Sequence, residues 1–295
     1  MPTQLQLFPD EVARFRARYK DEGLVPGVIA AFQAIIKQHY QASGRKFPFR
    51  EPEHYGDPYK VLVSEIMLQQ TQADRVVNKY LAFLKVFPDF KSLAEAPTEA
   101  VLKAWIGLGY NRRALALKRI AEEVVSKHGG KLPSSVAELD EFPSIGPNTA
   151  ASIATFAFNA AVPFIETNIR AVYLHFFFND DPSITDEALV DIVTRTVDAS
   201  NPREWYYALM DFGVLLKRSG KDPQKGKAGK QKAAAFKGST REARGRIIKA
   251  VINGQKSLQE LAEITGRDLV STGKIVDQLV REGFLENDTD RYRTK

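Results

Sequence analysis

The 295-residue chain predicts an all-α protein with a small mixed unit at its end, and three observations carry that reading. From Pro26 to Gly213 apolar residues recur at helical spacing between short turns punctuated by Pro and Gly. Over the same stretch no run alternates with the period of two that a half-buried strand requires. After a basic segment the helical periodicity returns, and the chain closes on two short runs around Asn287-Asp288-Thr289-Asp290.

The elements follow in order. Pro58-Tyr59 opens a helix through Leu68, Pro97-Thr98-Glu99 opens another, and Gly129-Gly130 close a third after His128. Pro suits the first helical position because its missing N–H would have no partner there, and Gly tolerates the left-handed residue beyond the last turn. From Lys217 to Lys237 the composition shifts to Lys, Gly, Gln and Ala without apolar spacing, which reads as a basic linker or surface loop. Beyond Gly238-Ser239 come Ile247, Ile248 and Val251 on one helix, Leu258, Leu261 and Ala262 on a second, and Ile275, Val276, Leu279 and Val280 on a third. Gly283-Phe284-Leu285 and Arg291-Tyr292-Arg293 then form two strands around a polar turn. Three helices and a hairpin in that order resemble a winged-helix domain. The expected boundaries are an N-terminal extension over 1–25, a helical domain over 26–216, the basic linker over 217–238 and the winged-helix-like domain over 239–295.

At 44% hydrophobic residues the chain can build sizeable cores. Met1-Pro2-Thr3-Gln4 begins no leader and no uncharged run is long enough to cross a bilayer, so the expectation is a cytoplasmic, nucleoid-associated monomer with no membrane contact. Zero cysteines exclude disulfides, thiolate zinc sites and a conventional iron–sulfur cluster. The histidines at 39, 54, 128 and 175 are never three or four apart, so no metal site and no cofactor is expected. The net charge of +6 is uneven, much of the positive charge falling between Lys217 and Arg246, as a nucleic-acid binder would have it.

Three segments carry chemistry. In Phe142-Pro143-Ser144-Ile145-Gly146-Pro147-Asn148-Thr149-Ala150 a turn separates two helices, and backbone amides at such a turn hold a phosphate oxygen whatever the DNA sequence. In Val61-Leu62-Val63-Ser64-Glu65-Ile66-Met67-Leu68 a carboxylate stands in an apolar helix, where burial favours its protonated, proton-donating form. Gln69, Gln70 and Gln72 follow with amides able to contact bases or fill the gap left by a flipped nucleotide. In Phe164-Ile165-Glu166-Thr167-Asn168-Ile169-Arg170 a second carboxylate lies at a helix start, where the dipole stabilises its ionised form. One acid to protonate a departing base and one carboxylate to shield the cationic sugar is the pairing that glycosidic cleavage needs. Taken singly, each segment is also explained by an ordinary turn, an ion pair or a helix cap.

Together, Pro58-Tyr59, Ser64-Glu65-x-Met67-Leu68-Gln69-Gln70-Thr71-Gln72, Gly107-Leu108-Gly109-Tyr110, Pro143-x-x-Gly146-x-x-Thr149-Ala150 and Asn168 resemble the helix-hairpin-helix DNA glycosylases. The Glu-x-Met-Leu-Gln-Gln-Thr-Gln string is most similar to the MutY-type adenine DNA glycosylases. The resemblance, over roughly Gly44 to Gly213, implies two helical subdomains with the active site between them. It implies a base-excision enzyme acting on double-stranded DNA with a mismatched or damaged base. Glu65 would protonate adenine, Glu166 would stabilise the sugar cation and cap its helix, and Gln70 would wedge into the base stack. Tyr110 would belong to a second penetrating loop. With them Gln69, Gln72, Arg112, Ile145, Gly146, Asn148, Thr149 and Asn168 form the expected DNA-binding and base-flipping set. Asn148 stands where bifunctional relatives have a lysine, and an amide forms no Schiff base, which implies a monofunctional enzyme.

The chain departs from the family pattern at four places. Glu166 replaces an aspartate, and Ser144 replaces a glycine of the hairpin. Lys217-Arg218 onward replaces four cluster cysteines, and a winged-helix pattern replaces the usual terminal domain. In that domain Arg267, Lys274, Arg281 and Arg291 to Lys295 would meet DNA, or the module would bind an unidentified protein. Removal of a mismatched pyrimidine (uracil, thymine or 5-hydroxymethyluracil) and non-catalytic DNA binding are the alternative functions.

Overall fold

A computed structural model describes residues 9–225 and 236–295. The first eight residues of the expected extension and residues 226–235 of the basic linker lie outside the described residues. The helices are α1 Pro9–Glu22, α2 Pro26–Ser43, α3 Pro52–Tyr55, α4 Pro58–Leu68, α5 Ala73–Val86, α6 Phe90–Glu95, α7 Thr98–Trp105 and α8 Arg112–Lys127. They continue with α9 Val136–Asp140, α10 Pro147–Phe158, α11 Thr167–Phe177, α12 Asp186–Thr196, α13 Pro202–Arg218, α14 Thr240–Ile252, α15 Leu258–Thr265 and α16 Leu269–Arg281. The strands β1 Lys256–Ser257, β2 Leu285–Asp288 and β3 Arg291–Thr294 complete the chain.

Local chemistry sets these boundaries. Proline occupies the first helical position of α2, α4, α10 and α13. Asp57 caps α4 by accepting the Tyr59 N–H at 3.0 Å, and reciprocal capping boxes start α6 at Asp89/Ser92 and α15 at Ser257/Glu260. The closing hairpin turns through Thr289 and Asp290, both left-handed (φ 48° and 66°), which matches the twist of two-residue hairpin turns. The sheet order is β1-β3-β2, all antiparallel. Its two-residue β1 has no signature in the sequence.

By contacts the chain divides into two units, each gathered from separated stretches. The first holds, among the described residues, 9–56, 134–141 and 145–225. Its core is aromatic: Phe32 meets Phe15, Tyr173, Phe176 and Trp205 with ring centroids 5.0 to 5.8 Å apart. Each such fully buried ring contributes about 2–3 kcal/mol. Most of the expected N-terminal extension is therefore the helix α1, which inserts Val12 and Phe15 into this core. α11 packs along α13, and Gly213 permits that approach: a Cβ there would lie 2.3 Å from the Asn168 carbonyl oxygen.

The second unit holds 57–133, 142–144 and 236–295. Tyr80, Phe83, Trp105, Leu62 and Ile66 are fully buried in it. The terminal helices and hairpin belong to this unit rather than hanging apart. α14 packs on α7, and Thr294 Oγ1 donates to the Glu99 carboxylate at 3.3 Å.

Candidate active site and DNA-facing loops

In the second unit, α4 buries Val61, Leu62, Val63, Ser64, Ile66 and Met67 and leaves Glu65 half-buried, so the acid is not sealed into the core. Immediately after the helix, Gln70 adopts a left-handed backbone (φ 53°) and is exposed. Tyr110 is left-handed too (φ 49°) and 56% exposed. Ser144 is the third (φ 64°), so the hairpin keeps the conformation a glycine would take and Ser accepts the strain. Non-glycine residues pay about 1–2 kcal/mol for this conformation, and such strain concentrates where loops are shaped for contact. The Gln69 amide donates from Nε2 to Ser144 O at 3.0 Å, tying two of these turns together. Gln72 is exposed at the start of α5 without a side-chain capping bond.

The loop bearing Tyr110 is held from three sides. Trp105 Nε1 donates to Gly109 O at 3.1 Å and Arg75 Nη2 to Gly107 O at 2.9 Å. Arg113 reaches Gly109 O and four other acceptors around α4's end, and burial pushes its pKa down to about 10, which keeps it a cation at neutral pH. Arg113 carries no signal in the sequence, because its partners are brought to it only by the fold. The neighbouring Arg112, expected at DNA, has its guanidinium engaged by Glu282, with Nε 3.0 Å from Oε2. Arg244 joins the same carboxylate. Together the two arginines hold Glu282 down to about 2.

In the first unit, Glu166 caps α11: Oε1 accepts the Asn168 N–H at 3.3 Å and the Asn168 Nδ2–H at 3.0 Å. Asn168 Oδ1 in turn accepts from Lys217 Nζ at 2.6 Å, and Gln224 Nε2 donates to Thr167 O at 2.8 Å. Asn148, exposed in the first turn of α10, accepts the Ile165 N–H at 3.3 Å and so anchors the strand-like approach to Glu166. Gly146 caps α10 with an extended backbone, and Thr149 is half-exposed beside it. Ile145 turns its side chain into the core at 7% exposure, which leaves the backbone of this turn as the part suited to phosphate contact.

No three His, Cys, Asp or Glu side chains cluster to hold a metal among the described residues. The residues after Gly213 do not fit an iron–sulfur cluster, since they supply an ammonium and an amide to α11 and the chain contains no thiolate. In the terminal helices Arg267 donates to Gly238 O, Arg291 pairs with Glu260, and Arg293 spans Glu286 and Asp288. Three of the basic groups expected to meet phosphates are thus engaged within the chain, while Lys274 and Arg281 are exposed. No helix among the described residues is long and apolar enough to cross a membrane.

Parts of the chain are similar to known proteins. Residues 63–195 match the profile of the HhH-GPD superfamily base excision DNA repair proteins. The adenine DNA glycosylase of Buchnera aphidicola subsp. Baizongia pistaciae is 31% identical over 189 residues, which cover 63% of this chain and 52% of that protein. The chain therefore matches about half the length of that relative. The adenine DNA glycosylase of Mycobacterium tuberculosis is 28% identical over 270 residues, 82% of this chain and 87% of that one. A thermostable thymine-DNA glycosylase structure aligns with a TM-score of 0.58 at 24% identity, over 68% of this chain and 92% of that one, a likeness of fold.

Proposed function

We propose that the protein is a monofunctional DNA N-glycosylase that flips a mismatched adenine from double-stranded DNA and removes it by hydrolysis. The observation that carries the reading is the seat of Glu166. One oxygen is fixed by both donors of Asn168, while Oε2 makes no hydrogen bond among the described residues and is left to a developing positive charge. A carboxylate so held needs no reorganisation as the sugar becomes an oxocarbenium ion.

In the proposed reaction Glu65 gives its proton to a ring nitrogen of the extruded base, and the glycosidic electron pair leaves with the base. Water adds to the sugar C1′ and gives up one proton, which balances the charge and leaves an abasic site. Gln70 and Tyr110 occupy the vacated stack. Asn148 holds Ile165 N–H through its amide oxygen and offers no amine, so no Schiff base and no strand nicking follow at that position. No cofactor takes part. The adenine-glycosylase relatives support adenine as the excised base.

The test is a panel of duplexes carrying adenine, uracil, thymine or 5-hydroxymethyluracil in mismatches, treated with alkali to reveal abasic sites. Adenine release by the wild type, abolished in Glu65→Gln with DNA affinity retained, is the expected result. Release of a pyrimidine alone, or near-normal turnover by Glu65→Gln, overturns it.

A further inference from the structure

Arg113 lies in the first turn of α8, 6% exposed, inside the second unit. Its Nη1 donates to Ile66 O at 2.9 Å, to Met67 O at 3.0 Å and to Gln69 O. Nη2 donates to Thr71 Oγ1 at 3.1 Å and to Gly109 O at 3.3 Å. The guanidinium carbon is 5.2 Å from the Tyr110 ring centroid and 5.6 Å from that of Trp105.

The arrangement solves a definite problem at the end of α4. The last carbonyls of a helix lack intrahelical partners. Here Glu65 O accepts the Gln69 N–H and Leu68 O the Thr71 N–H. Ile66 O and Met67 O are taken by Arg113, whose cation also suits the negative end of the helix dipole. The chain then turns at left-handed Gln70, and the same guanidinium holds the residue before it (Gln69) and the residue after it (Thr71). On its other side it holds Gly109 and stacks on left-handed Tyr110.

We propose that Arg113 is a positioning residue that locks the Gln70 turn and the Tyr110 loop into one rigid body, so that both side chains enter the base stack together. This rests on the base-flipping reading above and adds to it the part that coordinates the two loops. The planar fork is required, because a lysine ammonium has neither the reach nor the geometry to bridge both loops.

The experiment uses full-length Arg113→Lys and, as a milder cut of the same network, Thr71→Val. Base extrusion is followed by the fluorescence of 2-aminopurine at the target position, and single-turnover adenine release is compared on a fully stacked mismatch and on a duplex whose adenine is already unpaired opposite an abasic site. The expected outcome for Arg113→Lys is a tenfold or greater loss of fluorescence rise and of release on the stacked duplex, under threefold loss on the unpaired one, with Thr71→Val intermediate. Equal loss on both duplexes reduces Arg113 to a fold-stabilising role and overturns the proposal, as does no loss on either or no fluorescence rise in the wild type. Because the fluorescence needs no bond cleavage, a wild type that extrudes the base without releasing it sinks the excision reading alone.

Discussion

Lys217 Nζ donates to Asn168 Oδ1 at 2.6 Å, and the same Asn168 donates from Nδ2 to Glu166 Oε1 at 3.0 Å. An ammonium offers only donors and a carboxylate only acceptors, so the two ends together fix which way the amide points. Removing the ammonium frees the amide to rotate and loosens the carboxylate. Lys217→Met is expected to slow single-turnover base release about tenfold, equivalent to roughly 1.4 kcal/mol in the barrier. DNA affinity should change less than threefold. An unchanged rate would show that Asn168 orients Glu166 without help from α13.

Glu166 carries one methylene more than the aspartate of the related pattern, and its capping bond to the Asn168 N–H is correspondingly long at 3.3 Å. Aspartate is the better cap. Glu166→Asp is therefore expected to keep or raise the melting temperature and to alter release less than tenfold. Glu166→Gln keeps the shape and loses the charge, and should slow release at least a hundredfold. Comparable rates for the Gln variant and the wild type would remove Glu166 from the chemistry.

Ser144 pays for a left-handed backbone (φ 64°) that glycine adopts freely. Ser144→Gly relieves that strain but adds freedom to the unfolded chain, so a net gain of up to about 1 kcal/mol is expected. Ser144→Val has a branched Cβ in the same conformation and should lose about 1–2 kcal/mol. Urea unfolding of the two variants settles the matter, the opposite order being incompatible with a strained turn.

Much of this molecule was legible from short-range chemistry. α4 runs Pro58–Leu68 as its proline start and apolar run predict, and the terminal three helices and hairpin fall where periodicity returns. That Ser144 stands where the related hairpin has a glycine marks the position, but its left-handed backbone is read only from the fold. Tertiary partners were not legible. Nothing in Arg112-Arg113 says which arginine turns inward, and the choice is made by the orphan carbonyls of α4, forty-odd residues earlier. Lys217 read as the first residue of a solvated linker, because its neighbours are basic and its acceptor is Asn168, far back in the chain. α1 was hidden by its charge: Val12, Phe15 and Tyr19 make a helical stripe, but Arg, Lys, Asp and Glu crowd the intervening positions.

The pair of arginines on Glu282 gives the second unit a pH signature. Hydrogen bonding by Arg112, reinforced by Arg244, lowers the Glu282 carboxyl from its ordinary 4.5 to about 2. A depressed folded-state value means that the contribution is fully present above the unfolded value and is lost as pH falls through the folded one. The window for this group is therefore pH 4.5 down to about 2. Glu282 is largely shielded while Arg112 is 65% exposed, so solvent screening trims the pair to about 1–2 kcal/mol. Glu282→Gln should lower the melting temperature by several degrees at pH 7, and the gap to the wild type should close progressively between pH 4.5 and 2. Arg112 follows Tyr110 by two residues, so the same variant should also speed hydrogen exchange in the 107–111 loop at neutral pH. A gap that persists at pH 2 would mean that packing of α16, rather than its charge, holds the terminal helices against α8.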